Sequence, residues 1–97
     1  LIVIVGLISP YIKHRDWARK IFKPDHFKEI YISTSLEECK QRDVKGLYQK
    51  VQQGNIKDFT GIDSPYEPPE NPEVIIDTQN KTIEESVQII LQKVNLV

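Results

Sequence analysis

The feature that most constrains this chain is a continuous apolar run, Leu1 to Ile8, rich in β-branched residues. A run with no polar face predicts a strand covered on both sides, the habit of parallel sheets. Two further runs predict strands over Phe27 to Ser33 and over Glu73 to Asp77, with Ile30, Ile32, Val74, Ile75 and Ile76 among their apolar positions. Helix signals lie between them. His14 to Phe22 places Trp17, Ala18 and Ile21 at helical spacing, and Pro24 stops that helix. Ser35 to Glu38 and Thr82 to Glu85 each have the Ser/Thr-x-x-Glu form of a capping box, so a helix should start at each. After the second box, Ile83, Val87, Ile90, Leu91 and Val94 form a one-sided stripe.

Strands alternating with helices predict an α/β fold with a parallel sheet, helices on both faces and right-handed crossovers. Three strands and a few modest helices make a thin sheet with little margin of stability at this size. The 97 residues therefore read as one incomplete half of a larger layered domain. There is no initiator Met, and the chain opens inside an apolar run, which suggests that upstream residues are absent. The net charge of -1 gives no reason to expect nucleic acid or membrane as a partner. The opening run is too short to span a bilayer, and no basic region precedes it as a secretory signal would require. The single Cys39 has no partner for an internal disulfide and fits a reducing compartment; its place in the helix suggests a small core residue. His14 and His26 lack ligand-like spacing, so no metal site is expected.

The middle of the chain is charged unevenly. Lys40, Arg42, Lys45, Lys50 and Lys57 stand against the single acid Asp43, whereas Asp63 to Glu73 holds four acids and no base. Asp43 to Gly54 reads as a polar helical stretch bounded by Gly46 and Gly54, and Asn55 to Pro72 as a loop broken by Gly61 and four prolines. A basic helix beside a proline-rich loop suits a lid over an anionic ligand, here spanning about residues 43–61. On charge alone the competing reading, a solvated helix face, is the stronger.

Three segments change that weighting: Ile8 to Tyr11, Arg42 to Tyr48, and Lys57 to Glu67 with its wording Lys-Asp-Phe-Thr-Gly-Ile-Asp-Ser-Pro-Tyr-Glu. In order and spacing they resemble the adenylylsulfate (APS) kinases. Asp16 to Lys20 and Pro69 to Glu73 match as well, so the resemblance covers nearly the whole chain. It implies a P-loop NTPase, kinase-like, three-layer α/β/α fold, incomplete at the N-terminus. It also implies transfer of the γ-phosphoryl group of MgATP to the 3′-hydroxyl of APS in sulfate assimilation, giving 3′-phosphoadenylylsulfate (PAPS). No G-x-x-x-x-G-K-[ST] occurs in these 97 residues, nor does the family's arginine-rich APS-binding segment, so the span alone is expected to be inactive.

The resemblance also implies roles for individual residues. Ser9 matches a serine beside the APS site that is a phosphoserine in the family; a binding role suits it better than a covalent one, because phosphoryl transfer needs positioning and charge neutralisation. A turn or helix-cap serine is the structural alternative. Ile8 matches the neighbouring pocket position, with a core strand residue as an equally good reading. Phe59 matches the aromatic that stacks on the adenine of APS, a role natural to a ring in a Gly/Pro-rich loop, and Asp58 and Thr60 flank it with backbone groups. Lys45 matches a lid lysine that contacts APS. Arg42 matches an arginine packed against the ATP adenine, where a planar guanidinium suits stacking. The stretch Thr78 to Lys81 lies where the ATP base is also touched, with Lys81 as its cation. Mg²⁺ would arrive with ATP, held mainly by residues upstream of this span. The family is commonly homodimeric, with ATP sulfurylase as a possible fused or associated partner, and the absence of a targeting signal favours the cytoplasm. Two departures stand near Ser9: Ile12 occupies a position often held by Arg, and His14 one often held by Asp. Two alternatives stay open: a non-catalytic APS- or PAPS-binding regulatory module, and another P-loop nucleotide kinase.

Overall fold

The computed structural model describes residues 1–43, 45–54 and 65–96. Its centre is a two-stranded parallel sheet, β1 (Ile30–Ile32) and β2 (Val74–Ile76), in the register Ile30↔Val74, Tyr31↔Ile75 and Ile32↔Ile76. The ladder extends one residue at each end: the Val74 amide donates to the Glu29 carbonyl at 3.1 Å, and the Ser33 amide to the Ile76 carbonyl at 2.8 Å. Val74 and Ile76 are the buried apolar residues among those described, and both point from β2 to the same face. Burial of each contributes about 1.5–3 kcal/mol.

The described residues form four α-helices: α1 (Ile12–Ile21), α2 (Leu36–Arg42), α3 (Leu47–Gln52) and α4 (Ile83–Lys93). A helix starts at each of the two predicted capping residues, Ser35 and Thr82. The Ser35 hydroxyl accepts from the Glu38 amide at 3.2 Å, and the Thr82 hydroxyl from the Glu85 amide at 3.0 Å. Each is worth about 1 kcal/mol. Pro24 ends α1 as expected and opens a single 3₁₀ turn, Pro24–His26. Helix α3 is started by Asp43, whose carboxylate accepts from the Tyr48 and Gln49 amides at 3.1 and 3.2 Å. Asp43 itself sits at φ 23°, ending α2 and turning the chain into the next helix.

Three apolar expectations give way. Leu1 to Ile8 forms no strand, and it is exposed. A parallel strand exists only through pairing, and among the described residues β1 and β2 pair with each other alone. On α1, Trp17 and Ile21 face outward, whereas Ile12, Arg15, Ala18 and Arg19 are half-buried. This helix docks through two arginines four residues apart, and their ion pairs outweigh the apolar spacing read from sequence. On α4, the stripe is only partly covered. Ile83 is 84% exposed and Ser86 is the buried residue, while Ile90, Leu91 and Val94 are half-buried. A small residue at position 86 lets α4 lie close to β2, against which it packs. Cys39 is half-buried, in keeping with a small inward residue. Among the described residues no helix is long and apolar enough to cross a membrane.

Candidate functional site

Parallel strands bring their carboxyl ends to one edge of the sheet, where open α/β sheets place ligands. Here Thr34 and Thr78 each stand two residues beyond a strand end, so the register sets them side by side. Their hydroxyls are 2.7 Å apart, and the Thr78 amide donates to the Thr34 hydroxyl at 3.0 Å. Arg42, at the end of α2, reaches this pair. Its Nη1 donates to the Thr78 hydroxyl at 2.8 Å, its Nη2 to the Thr78 carbonyl at 3.2 Å, and its Nε pairs with Glu38 at 3.1 Å. The guanidinium edge is therefore fixed, yet the side chain stays 42% exposed. A plane held by its edge in this way presents a face on which a flat ring can stack.

The turn after β2 is ordered by local bonds. The Gln79 amide donates to the Asp77 carboxylate at 2.9 Å, and Lys81 Nζ to the Asp77 carbonyl at 2.8 Å. Asn80 takes the left-handed φ of 60°. The structure thus joins Arg42 directly to the 78–81 turn, two elements that sequence reasoning placed near one ligand from segments 36 residues apart.

A second cluster lies at the amino ends of the same strands. Glu29 and Glu73 each directly precede a strand, and α1 sends Arg15 and Arg19 to them. Arg19 grips Glu73 with two bonds, 2.7 and 2.9 Å, and touches Glu29 at 3.3 Å; Arg15 pairs with Glu29 at 3.1 Å. The Glu29 amide donates to Glu73 at 2.6 Å. The Arg19 bond, reinforced by this amide, lowers the Glu73 carboxyl to about 2 although partial burial opposes it. The same bond raises Arg19. Arg19 also lies over Phe27, 5.0 Å from the ring centre.

Ser9 is tied to this second cluster. Its carbonyl accepts from Arg15, and it holds a left-handed φ of 44°, a conformation that costs a residue with a side chain roughly 1–3 kcal/mol. The side-chain hydrogen bonds around Ser9 and those around Arg42 share no member among the described residues.

The family model for adenylylsulphate kinase matches residues 1–77. The chain belongs to the adenylylsulphate kinase family. Over 91 residues it is 53% identical to a probable adenylyl-sulfate kinase of Halalkalibacterium halodurans, covering 94% of this chain and 44% of that protein. It is likewise 53% identical to an adenylyl-sulfate kinase of Oceanobacillus iheyensis, covering 94% of this chain and 46% of that one. The chain thus spans less than half the length of these curated relatives. The solved structure of Mycobacterium tuberculosis APS kinase in complex with AMPPNP and APS superposes with a TM-score of 0.81 at 40% identity, over 92% of this chain and 52% of that one. The fold of this chain is accordingly the α/β fold of the APS kinase family, a P-loop NTPase fold, seen here through its parallel strands and their helices.

The remaining expected positions fall differently. Lys45 is exposed just before α3, and Ile8 is exposed at the end of the opening run. Asp58, Phe59 and Thr60, with most of the second half of the segment expected to be a lid, lie outside the described residues. Lys81 is occupied by the Asp77 carbonyl. Among the described residues no group of three or more His, Cys, Asp or Glu side chains could hold a metal ion, so none is assigned to Mg²⁺. Sequence reasoning missed Arg15, Glu29, Glu73 and the Thr34–Thr78 pair. The threonines carried a readable signal, a hydroxyl at the same offset after each strand. The ion pairs carried none, since nothing in one sequence joins Arg19 to a carboxylate 54 residues away.

Proposed function

We propose that this chain supplies the base-facing and acceptor-facing part of an adenylyl-sulfate kinase acting on MgATP and APS. In the reaction, the 3′-oxygen of APS bonds to the γ-phosphorus, the bond from that phosphorus to the β–γ bridging oxygen breaks, the hydroxyl proton leaves to a base, and PAPS and ADP result. Such a transfer depends on positioning and charge neutralisation. In this reading Arg42 and the 78–81 turn hold the adenine of ATP, Phe59 with Asp58 and Thr60 receives the adenine of APS, Lys45 meets its anionic groups, and Ile8 and Ser9 line its pocket. Mg²⁺ comes with ATP. A cytoplasmic homodimer, with ATP sulfurylase as a fused or separate supplier of APS, completes the reading.

The observation that carries it is the Arg42 guanidinium, bonded along its edge by Glu38 and Thr78 beyond the carboxyl ends of the strands while its side chain stays 42% exposed. The names of the relatives support the same reaction. The test is a chimera in which this chain replaces its matching residues in the H. halodurans relative. ADP release that requires both ATP and APS is expected. The isolated 97 residues should give none, because the phosphate cradle is absent from them; one oxyanion donor alone is worth about 2.7–4 kcal/mol of barrier. A chimera that binds APS without turnover would favour the regulatory-module alternative.

A further inference from the structure

We infer that Arg15 is a positioning residue for the acceptor side of the site, holding the Ser9 backbone in its left-handed turn by joining it to the segment at Glu67. The inference rests on the reading of Ser9 as a neighbour of APS. It begins from the completeness with which Arg15 is used. Its side chain is 11% exposed and its Nε pairs with Glu29 at 3.1 Å. One terminal nitrogen donates to the Ser9 carbonyl and the other to the Glu67 carbonyl. Its plane lies over the Tyr66 ring, 5.5 Å from the centre, and Tyr66 in turn stacks on Tyr31 of β1 at 6.3 Å. The guanidinium is thus anchored to the sheet on one side and bridges two carbonyls on the other.

Glu67 reciprocates. Its amide donates to the Pro10 carbonyl at 2.8 Å, and its carboxylate accepts from the Ile12 amide at 2.8 Å, capping an α1 whose own N-cap residue, Tyr11, offers no side-chain bond. Residues 9–12 and 65–67 are therefore laced in both directions. Ser9 at φ 44° occupies a region that favours glycine, so something must hold it there, and the Arg15 bond to its carbonyl is the direct restraint. Among the described residues the Ser9 hydroxyl makes no hydrogen bond, which leaves it available for a ribose or phosphate oxygen. Two carbonyls, a carboxylate and a ring face need a planar fork; a lysine ammonium cannot serve all four.

Steady-state kinetics on the H. halodurans chimera test this. Arg15→Gln should raise the KM for APS about tenfold with the KM for ATP within about twofold, as a displaced binding group would. Arg15→Lys should raise the APS value less, since one ammonium can keep one carbonyl. An unchanged KM for APS, equal shifts in both KM values, or a fall in kcat alone with both KM values intact would overturn the inference; the last is what a merely smaller folded fraction gives. Where Arg15→Gln fails to fold, Arg15→Lys decides by the same criteria. An unsubstituted chimera without APS-dependent turnover would instead overturn the functional reading, and the inference with it, so the two failures are told apart.

Discussion

The two ends of one pair of strands are built on different chemistry. At the amino ends of β1 and β2, Arg15, Arg19, Glu29 and Glu73 satisfy one another, and little of Arg15 reaches solvent. At the carboxyl ends, the Thr78 hydroxyl and carbonyl together with Glu38 hold the edge of a single guanidinium, Arg42, whose side chain stays 42% exposed. The first arrangement spends the terminal nitrogens of both arginines on the protein. The second keeps a surface in reserve. Ion pairs that bridge distant segments hold the frame, and a half-committed cation is what a ligand can use. The same residue type does both, and its partners decide which.

The sharpest way to break this contrast is to open the amino-end cluster. Glu73→Gln leaves Arg19 with Glu29 alone and weakens the acceptor of the Glu29 amide. The chimera should lose about 2 kcal/mol in urea denaturation, below the cost of breaking a fully buried pair because these side chains are 31% and 28% exposed. The same cluster should show itself in acid. Glu73 is lowered from 4.5 to about 2 in the folded chain, so its contribution is complete above pH 4.5 and fades as pH falls toward 2. The whole shift would correspond to about 3 kcal/mol by linkage, and solvent screening reduces this to about 1–2 kcal/mol. Stability measured from pH 6 down to pH 2 should decline over that window, and the decline should be smaller in Glu73→Gln. A Glu73→Gln protein as stable as its parent, with the same acid profile, would show that the amino ends do not hold the frame.

A smaller effect tests whether the carboxyl end depends on its helix. Ser35→Ala removes the cap of α2, which carries Arg42 in its last turn. About 1 kcal/mol of stability should go, and the KM for ATP should rise while that for APS holds. Stability lost without a change in the ATP value would separate Arg42 from the nucleotide.

How far the sequence revealed all this follows from the range of each interaction. Both helix starts are local signals, four residues long, and at each the Ser or Thr hydroxyl caps the helix as read. The strands at Ile30–Ile32 and Val74–Ile76 fall inside the predicted runs, because β-branched residues between turn signals admit few other conformations. Leu1 to Ile8 has equal propensity and no strand, since pairing is not a local property. The α1 spacing of Trp17, Ala18 and Ile21 pointed to an apolar face, and charge placed the helix instead. Arg42 and the 78–81 turn were legible only through resemblance to a family; the parallel register explains why they meet. Arg15 is the hardest to read. Its four partners, Ser9, Glu29, Tyr66 and Glu67, come from three separate stretches of chain.

The smallest expected effects sharpen the claim about Arg42 itself. Arg42→Ala should change stability by no more than about 0.5 kcal/mol, as removal of an exposed i,i+4 pair with Glu38 generally does. ATP affinity should nevertheless fall about fivefold, the size of a partly exposed cation–π contact. Arg42→Lys separates charge from shape. A lysine keeps the cation, and it can still reach one acceptor, but it has no plane to lay against a purine. If the face of Arg42 is what the nucleotide uses, Arg42→Lys should recover little of the loss, ending within about twofold of Arg42→Ala by titration calorimetry. If charge is what matters, the lysine should restore most of the affinity, and raising the salt concentration should weaken the unsubstituted protein about as much as the alanine substitution does. That second result would make the carboxyl end an electrostatic site like the amino end, and the contrast between them would be lost.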